Sequence, residues 1–313
     1  MSLWLSVVLV SYFILAISTL VDKFFLSKVL SSSSFYVLWV SILSLSAFLV
    51  IPFPSLLRWM KVPAQDLSWI GGYWLLIALI TGAVFTLALY LLYSALQKGE
   101  ASRVVPLVGG GMPVIIFIVS YILKVEIFTG HKLIAFIFLL AGSIIITVMP
   151  SKKRFFQLDQ GLWWAVGASL SFAAFFLLTK YMFWQHSFID GIVWPRLGTL
   201  VVIVVMMFWQ INRQHLAHPF NKVGWHLRLG LIANQGLAAL GFLGQNYAIK
   251  LGGSLSLISA LQGLQYVFIL IFAALVSWRF PKLFTEEVST NIIIQKVIAL
   301  ILIVIGLYYS AVI

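Results

Sequence analysis

The stretch GAVFTLALYLLYSALQKGEASRVVPLVGGGMP, residues 82–113, recurs in diverged form as GLAALGFLGQNYAIKLGGSLSLISALQGLQYV, residues 236–267. Aligned with a shift of 154 residues, Gly82 meets Gly236. After an insertion near 280–293, the pairing continues with a shift of 164 residues. Two homologous halves in a membrane protein predict a solute path at the seam between them.

Further paired positions extend the repeat over most of the chain. They include glycines, lysines and aromatic residues in both halves. The pairs are Lys23 with Lys180, Trp39 with Trp194, Tyr93 with Tyr247, Leu107 with Leu261 and Gly142 with Gly306.

The composition is that of a membrane protein. Hydrophobic residues make up 62% of the 313 residues and charged residues only 9%, whereas a soluble domain carries roughly 25% charge. Long apolar runs are each about the length that crosses a bilayer as a helix, and none alternates like a barrel strand. We therefore expect an all-α, multi-pass integral membrane protein of the cell (plasma or inner) membrane. The expected spans lie near 2–21, 35–57, 70–95, 103–123, 130–149, 161–182, 190–211, 228–249, 254–278 and 294–312.

This count predicts ten transmembrane helices as two five-helix repeats, 1–150 and 161–313, joined by a basic linker, 151–160. An odd number of spans makes the second half enter the membrane from the opposite side, so the repeats should be inverted. Loops after odd-numbered spans hold most Lys and Arg, and the positive-inside rule then places both termini outside. The net charge of +12 is assigned to these loops and to anionic lipid, without nucleic acid as a partner.

Three basic residues within or at the ends of spans are candidate ligands for an anionic or zwitterionic solute. Lys23 and Lys180 lie at equivalent ends of the first span of each half, where snorkelling to headgroups is the alternative. Arg196 follows Pro195 several residues inside span seven, and a guanidinium at that depth should face protein or water. Its alternative role is a structural pairing with a carbonyl or with Asp190.

Amides and aromatic residues complete the predicted cavity. Span eight carries Asn234, Gln235, Gln245 and Asn246, and span nine carries Gln262 and Gln265. Such residues also serve as hydrogen-bonding contacts between helices. The residues predicted to line the cavity, besides the three basic ones, are Trp39, Tyr93, Trp194, Asn234, Gln245, Tyr247, Gln262 and Gln265.

Span four contains PLVGGGMP, residues 106–113. Pro106, Gly110 and Pro113 predict flexion there, with close packing, a kink or an unwound turn as the possible forms. The matching region around Gly263 in span nine should be less disrupted.

The acidic residues all fall at or beyond the expected span ends, which argues against a central carboxylate as an exchanging site. No nucleophile, metal or phosphate motif is visible, and His215-x-x-His218 lacks a nearby carboxylate. We expect a protein that is not an enzyme and that has no cofactor and no metal site. Cysteine is absent.

Several segments resemble the EamA-like ten-helix carriers of the drug/metabolite transporter superfamily. LYLLYSALQKGEASRVVPL, residues 89–107, resembles the family's run through its third and fourth helices. Glu126-Ile-Phe-Thr129 resembles its Gly-Glu-x-x-Thr turn, with Val125 in place of the glycine. The second copy of that turn is replaced by residues 280–287, and the Trp-Gly pair common in the family's first helix is missing, with Ser18-Thr19 near its place.

The resemblance implies transport of small metabolites and cytoplasmic termini, the latter opposite to the charge count. The expected function is a secondary transporter that moves an amino acid, organic acid, or phosphorylated or sugar compound by alternating access. The alternatives are a non-transporting membrane scaffold and a translocase for a lipid-linked substrate. A second copy of the chain is a further candidate partner.

Overall fold

The computed structural model describes residues 2–28, 33–50, 67–98, 101–147, 160–208, 224–279 and 290–312. Every regular element within these ranges is helical. The helices are α1 (Leu3–Lys28), α2 (Ser33–Ser44, extended by a 3₁₀ turn, Leu45–Val50), α3 (Gly71–Lys98), α4 (Ala101–Ile122), α5 (Gly130–Thr147), α6 (Gln160–Gln185), α7 (Phe188–Val193), α8 (Pro195–Phe208), α9 (Trp225–Lys250), α10 (Leu255–Ala260), α11 (Gln262–Arg279) and α12 (Thr290–Val312).

The prediction of an all-helical chain is confirmed within the described ranges, and the apolar helices there are compatible with a membrane protein. Six helical segments in the described ranges are long and apolar enough to cross a bilayer, and Phe188–Phe208 combines α7 and α8. Large apolar side chains such as Ile137, Val204 and Val304 point outward, which suits hydrocarbon rather than water. The remaining five segments are Leu3–Asp22, Gly71–Ala95, Gly161–Gln185, Trp225–Lys250 and Ile294–Ala311.

Two groups of helices form the bundle, and each mixes elements from both halves of the sequence. In the α3 group, α3 and α4 pack against α6, and α3 also packs against α8. In the α1 group, α1 packs against α9 and α11. Helices α5 and α12 pack against each other beside these groups.

Helices α5 and α12 approach through reciprocal glycines. A Cβ at Gly142 would lie 2.6 Å from the Ile303 side chain, and one at Gly306 would lie 2.6 Å from the Leu139 side chain. Because Leu139 and Ile303 are equivalent under the 164-residue shift, the two contacts are the same contact seen from either helix.

The glycine- and proline-rich segment of span four does not interrupt its helix. Helix α4 runs continuously, and Gly110 and Pro113 are buried within it, whereas the side chain of Pro106 lies outside the described residues. A Cβ at Gly109 would lie 2.5 Å from the hydroxyl of Tyr266 on α11, so close packing is the form that the glycines take. The described breaks are elsewhere, between α7 and α8 at Trp194 and between α10 and α11 at Leu261. Span nine is therefore the more disrupted, contrary to expectation.

Candidate binding pocket between the two helix groups

A narrow pocket lies where α9 of the α1 group faces the α3 group. Its walls come from α3, α6, α7, α8 and α9, and it has free space for about one water molecule. The lining residues are Gly82, Phe85, Phe175, Thr179, Gly191, Ile192, Pro195, Arg196, Thr199, Phe242 and Asn246.

The break before α8 positions Arg196. Pro195 has no backbone N–H to continue α7, and its fixed φ suits the first turn of a helix, so α8 begins there. Arg196 is the next residue and is only 9% exposed. Its guanidinium carbon lies 5.6 Å from the ring centre of Phe242 and 5.8 Å from that of Phe85. Aromatic faces at these distances favour a cation but do not replace a hydrogen-bonding partner.

Arg196 has no ion pair or hydrogen bond within the part of the chain that the structure describes, and its Nε atom is buried without a partner. Asp190, the alternative partner considered above, is already satisfied. Its carboxylate accepts from the Ser68 backbone N–H at 2.9 Å, the Ser68 hydroxyl at 2.8 Å and the Ser187 hydroxyl at 2.8 Å. The structural pairing of Arg196 with Asp190 is therefore wrong.

Two other polar atoms on the pocket residues are also buried and have no hydrogen-bonding partner among the residues that the structure describes. Asn246 donates its amide N–H to the Phe242 carbonyl at 2.8 Å, which leaves its Oδ1 atom unpaired. The Thr179 hydroxyl is the other. Buried polar groups are nearly always paired, so three unpaired ones on one pocket indicate a place for a polar ligand or water. Together they offer a cationic donor and two acceptors.

A second polar cluster lies on the α1 group, at what we call the Asp22 end of the bundle. Asp22 Oδ1 accepts hydrogen bonds from the Tyr36 hydroxyl, from Asn234 Nδ2 at 2.6 Å and from Gln235 Nε2 at 3.3 Å. Asn234 Oδ1 is buried and has no partner in the described part of the chain. The first helix was expected to end before Asp22, but α1 continues to Lys28, so this carboxylate is enclosed by three helices.

Lys180 does not face the pocket as a free cation. Its ammonium lies 2.6 Å from Glu126 in the loop between α4 and α5. Burial raises the pKa of Glu126, but the charge of Lys180 and the hydrogen bonds to the carboxylate outweigh it and hold the pKa below its usual value. The side chain of Lys23 lies outside the described residues.

The predicted amides contact other helices instead of the pocket. Gln245 donates to the Tyr12 hydroxyl at 3.1 Å, and Gln265 donates to the Thr19 hydroxyl at 3.0 Å. Asn234 belongs to the Asp22 cluster, and Gln262 has a buried, unpaired Oε1 atom away from the pocket lining. The alternative role as contacts between helices therefore describes Gln245 and Gln265.

The predicted aromatic residues pack outside the pocket. Tyr93 lies edge-to-face on Tyr36, and Trp39 packs against the same cluster. Trp194 donates its ring N–H to the Ser68 carbonyl at 3.0 Å. Tyr247 lies against Phe188.

Of the residues predicted to line the cavity, Arg196 alone lies among the pocket-lining residues of the described chain. Sequence reasoning missed Phe85, Phe175, Phe242 and Thr179 as lining residues. The available signal was the spacing of Phe242 and Asn246, which are four residues apart and therefore share a face of α9. Within the described ranges, no group of three or more His, Asp or Glu side chains is placed to hold a metal.

No protein-family model matches the chain. No curated protein matches it either. One solved structure, described only as the crystal structure of a protein, is similar, with a TM-score of 0.67 and 16% sequence identity over 99% of this chain and 96% of that one. At this identity the likeness shows a shared fold and nothing about the ligand.

Proposed function

We propose that the protein is a secondary transporter that binds a small anionic or zwitterionic solute at the Arg196 pocket and moves it by alternating access. In this proposal the chain is an EamA-like member of the drug/metabolite transporter superfamily in a cell membrane. It has ten spans in two inverted five-helix repeats. The bound solute is an amino acid, an organic acid or a phosphorylated or sugar compound.

The helix contacts support the inverted repeats. Under the sequence repeat, α1 corresponds to α6 and α3 corresponds to α9. The contact of α3 with α6 therefore has its equivalent in the contact of α9 with α1, and both are extensive. The contact of α4 with α6 likewise has its equivalent in that of α11 with α1. Equivalent contacts of this kind, in which each half packs its helices against the first helix of the other half, are expected of two copies related by a two-fold axis.

The observation that carries the proposal is the unpaired guanidinium of Arg196 beside the unpaired Asn246 Oδ1 and Thr179 hydroxyl. A membrane protein places a charged side chain in a span at a considerable energetic cost, and such groups usually mark a substrate path. A carboxylate or phosphate would pair with Arg196 through charge-assisted hydrogen bonds. An ammonium or hydroxyl on the same solute would donate to Asn246 and Thr179.

A thermal-shift screen of the purified protein tests the proposal. The probes are amino acids, dicarboxylates, sugar phosphates and nucleotide sugars. A solute that binds only the folded protein stabilises it by about 2.7 kcal/mol at one hundred times its Kd. Arg196→Gln should abolish this stabilisation for every hit. Arg228→Gln, on α9 outside the pocket, is the matched control and should retain it.

Stabilisation that persists in well-folded Arg196→Gln would refute the pocket. If no soluble probe stabilises the protein but a polyprenyl phosphate does, the lipid-linked translocase is favoured instead. A scaffold should respond to neither class of probe.

A further inference from the structure

Glu126 joins the two helix groups at one end of the bundle, which we call the Glu126 end. It follows α4 of the α3 group, and Lys180 of α6 in the same group holds it at 2.6 Å. Its carboxylate then reaches the start of α10. It accepts from the Ser254 hydroxyl at 2.8 Å, from the backbone N–H of Leu255 and from that of Ser256 at 3.4 Å.

Helix α10 lies between the groups: the single residue Leu261 joins it to α11 of the α1 group, and it also packs against α4 of the α3 group. The Tyr12 hydroxyl of α1 donates to the Ile258 carbonyl of α10 at 2.6 Å, deep in the core. The bonds from Glu126 therefore fix the start of α10, and so of the α10–α11 segment that contacts α1, to the α3 group.

Lys250 makes a second connection at the same end. It is the last residue of α9, and its ammonium donates to the carbonyls of Phe183 at 2.5 Å and His186 at 2.7 Å. These carbonyls lie at the end of α6, where unpaired backbone oxygens and the helix dipole favour a cation. This connection again joins the α1 group to the α3 group.

Both connections lie directly beside the pocket. Lys180 follows the pocket residue Thr179, and Lys250 lies one helical turn beyond the pocket residue Asn246. With both connections made, the pocket has no room for more than about one water. A solute entering from the Glu126 end needs α9 and α10 to move away from α6.

We propose that Glu126 and Lys250 form a two-point latch that holds the pocket closed at the Glu126 end, and that this end opens when both points release. The proposal rests on the transport function insofar as opening admits a solute. Lys180 is a positioning residue, since it contacts only Glu126 in the latch. Glu126 of the α3 group and Lys250 of the α1 group each make polar contacts that hold the two groups together. Removing either side chain therefore favours the open arrangement.

The absence of cysteine makes a distance measurement direct. Spin labels on Leu3→Cys of α1 and Trp184→Cys of α6 report the separation of the groups at this end. Both side chains are exposed, at 64% and 53%. The distance is measured in lipid nanodiscs for the parent, for Glu126→Ala, for Lys250→Met and for the double variant. Helix α10 keeps its own cap in Glu126→Ala, because Ser254 also accepts from the Leu257 backbone N–H.

The expected result is a second, longer distance whose population rises at least about tenfold in the double variant, a factor equal to about 1.4 kcal/mol. The single variants should fall between it and the parent. Lys132→Met is the matched control, since Lys132 lies at the same end, in the first turn of α5, but donates to the Ile127 carbonyl in the loop just before that helix. It should keep the parent distance.

An unchanged distance distribution in folded single and double variants would overturn the latch. The measurement uses no solute, so its failure is separate from failure of the proposed function. Loss of binding in Arg196→Gln with an operating latch would support both proposals.

Discussion

Gly82 and Gly236 provide a matched test of the close packing beside the pocket. The sequence repeat makes them equivalent, yet their surroundings differ. A Cβ at Gly82 would lie 1.7 Å from the Pro195 carbonyl oxygen and 2.7 Å from the Thr199 backbone nitrogen. A Cβ at Gly236 would have no atom within 4 Å.

The expected effects of alanine at the two positions have opposite signs. An ordinary carbon–oxygen contact is about 3.3 Å, so Gly82→Ala must separate α3 from α8 by roughly 1.6 Å. Because the opposing atoms are backbone, this overpacking should cost about 1–3 kcal/mol or more. Gly236→Ala meets no obstacle and should gain up to about 1 kcal/mol of helix propensity. We therefore expect a difference of about 1–4 kcal/mol between the variants.

The assay is the apparent midpoint of thermal unfolding in detergent at one heating rate, because unfolding of such a protein is often irreversible. For this chain of 313 residues, a difference of about 2 kcal/mol corresponds to roughly 3 °C, at about 2.1 cal/mol/K of unfolding entropy per residue. Gly82→Ala should also weaken solute binding, since displacing α8 moves Arg196. Equal midpoints for the two alanine variants would show that α3 and α8 do not approach as closely as described.

Two further predictions concern buried polar contacts. Tyr12→Phe should lower the free energy of unfolding by about 1–3 kcal/mol, because it leaves the Ile258 carbonyl and the Gln245 amide without their shared partner. Phe268→Leu, outside this hydrogen-bond network, is the control. Equal midpoints of thermal unfolding for the two variants would contradict the Tyr12 contact. The Glu126 carboxylate, paired with Lys180, has a pKa lowered from 4.5, so its contribution to stability is complete above that value and is lost as the pH falls through the lowered pKa. Glu126 should therefore add no pH dependence to the protein's stability between about pH 6 and 8. At acid pH the stability of Glu126→Gln should fall less than that of the parent. An identical fall in stability at acid pH in both proteins would refute the charged pair.

The helices themselves were largely predictable from the sequence. Apolar runs of span length leave the backbone no alternative to helix in hydrocarbon, and the expected spans overlap the described helices. The segment 106–113 was the exception, because local propensity opposes a helix there. Its glycines instead let α4 approach Tyr266 and Ser169, and the packing outweighs the propensity.

The faces of α9 show where sequence reasoning failed for the site. Asn234, Gly241 and Gln245 form a polar stripe, and this stripe was expected to line the cavity. It faces α1 instead, since a Cβ at Gly241 would lie 2.7 Å from Leu15. The pocket is lined by the neighbouring face of α9, which carries Phe242 and Asn246. Helical periodicity alone does not favour this face over the polar stripe as the lining of a cavity.

Length and hydropathy determined from the sequence alone that the chain is helical, with apolar segments long enough to cross a membrane and a charged residue, Arg196, inside one of them. Tertiary structure decided which of the three candidate basic residues pairs with an acid among the described residues. Glu126 is 54 residues from Lys180 in the chain, and Ser68 is 122 residues from Asp190, yet these pairs form. Within the described ranges Arg196 is left with the faces of Phe85 and Phe242. Whether a buried charge finds a partner depends on atoms that come together only when distant helices pack.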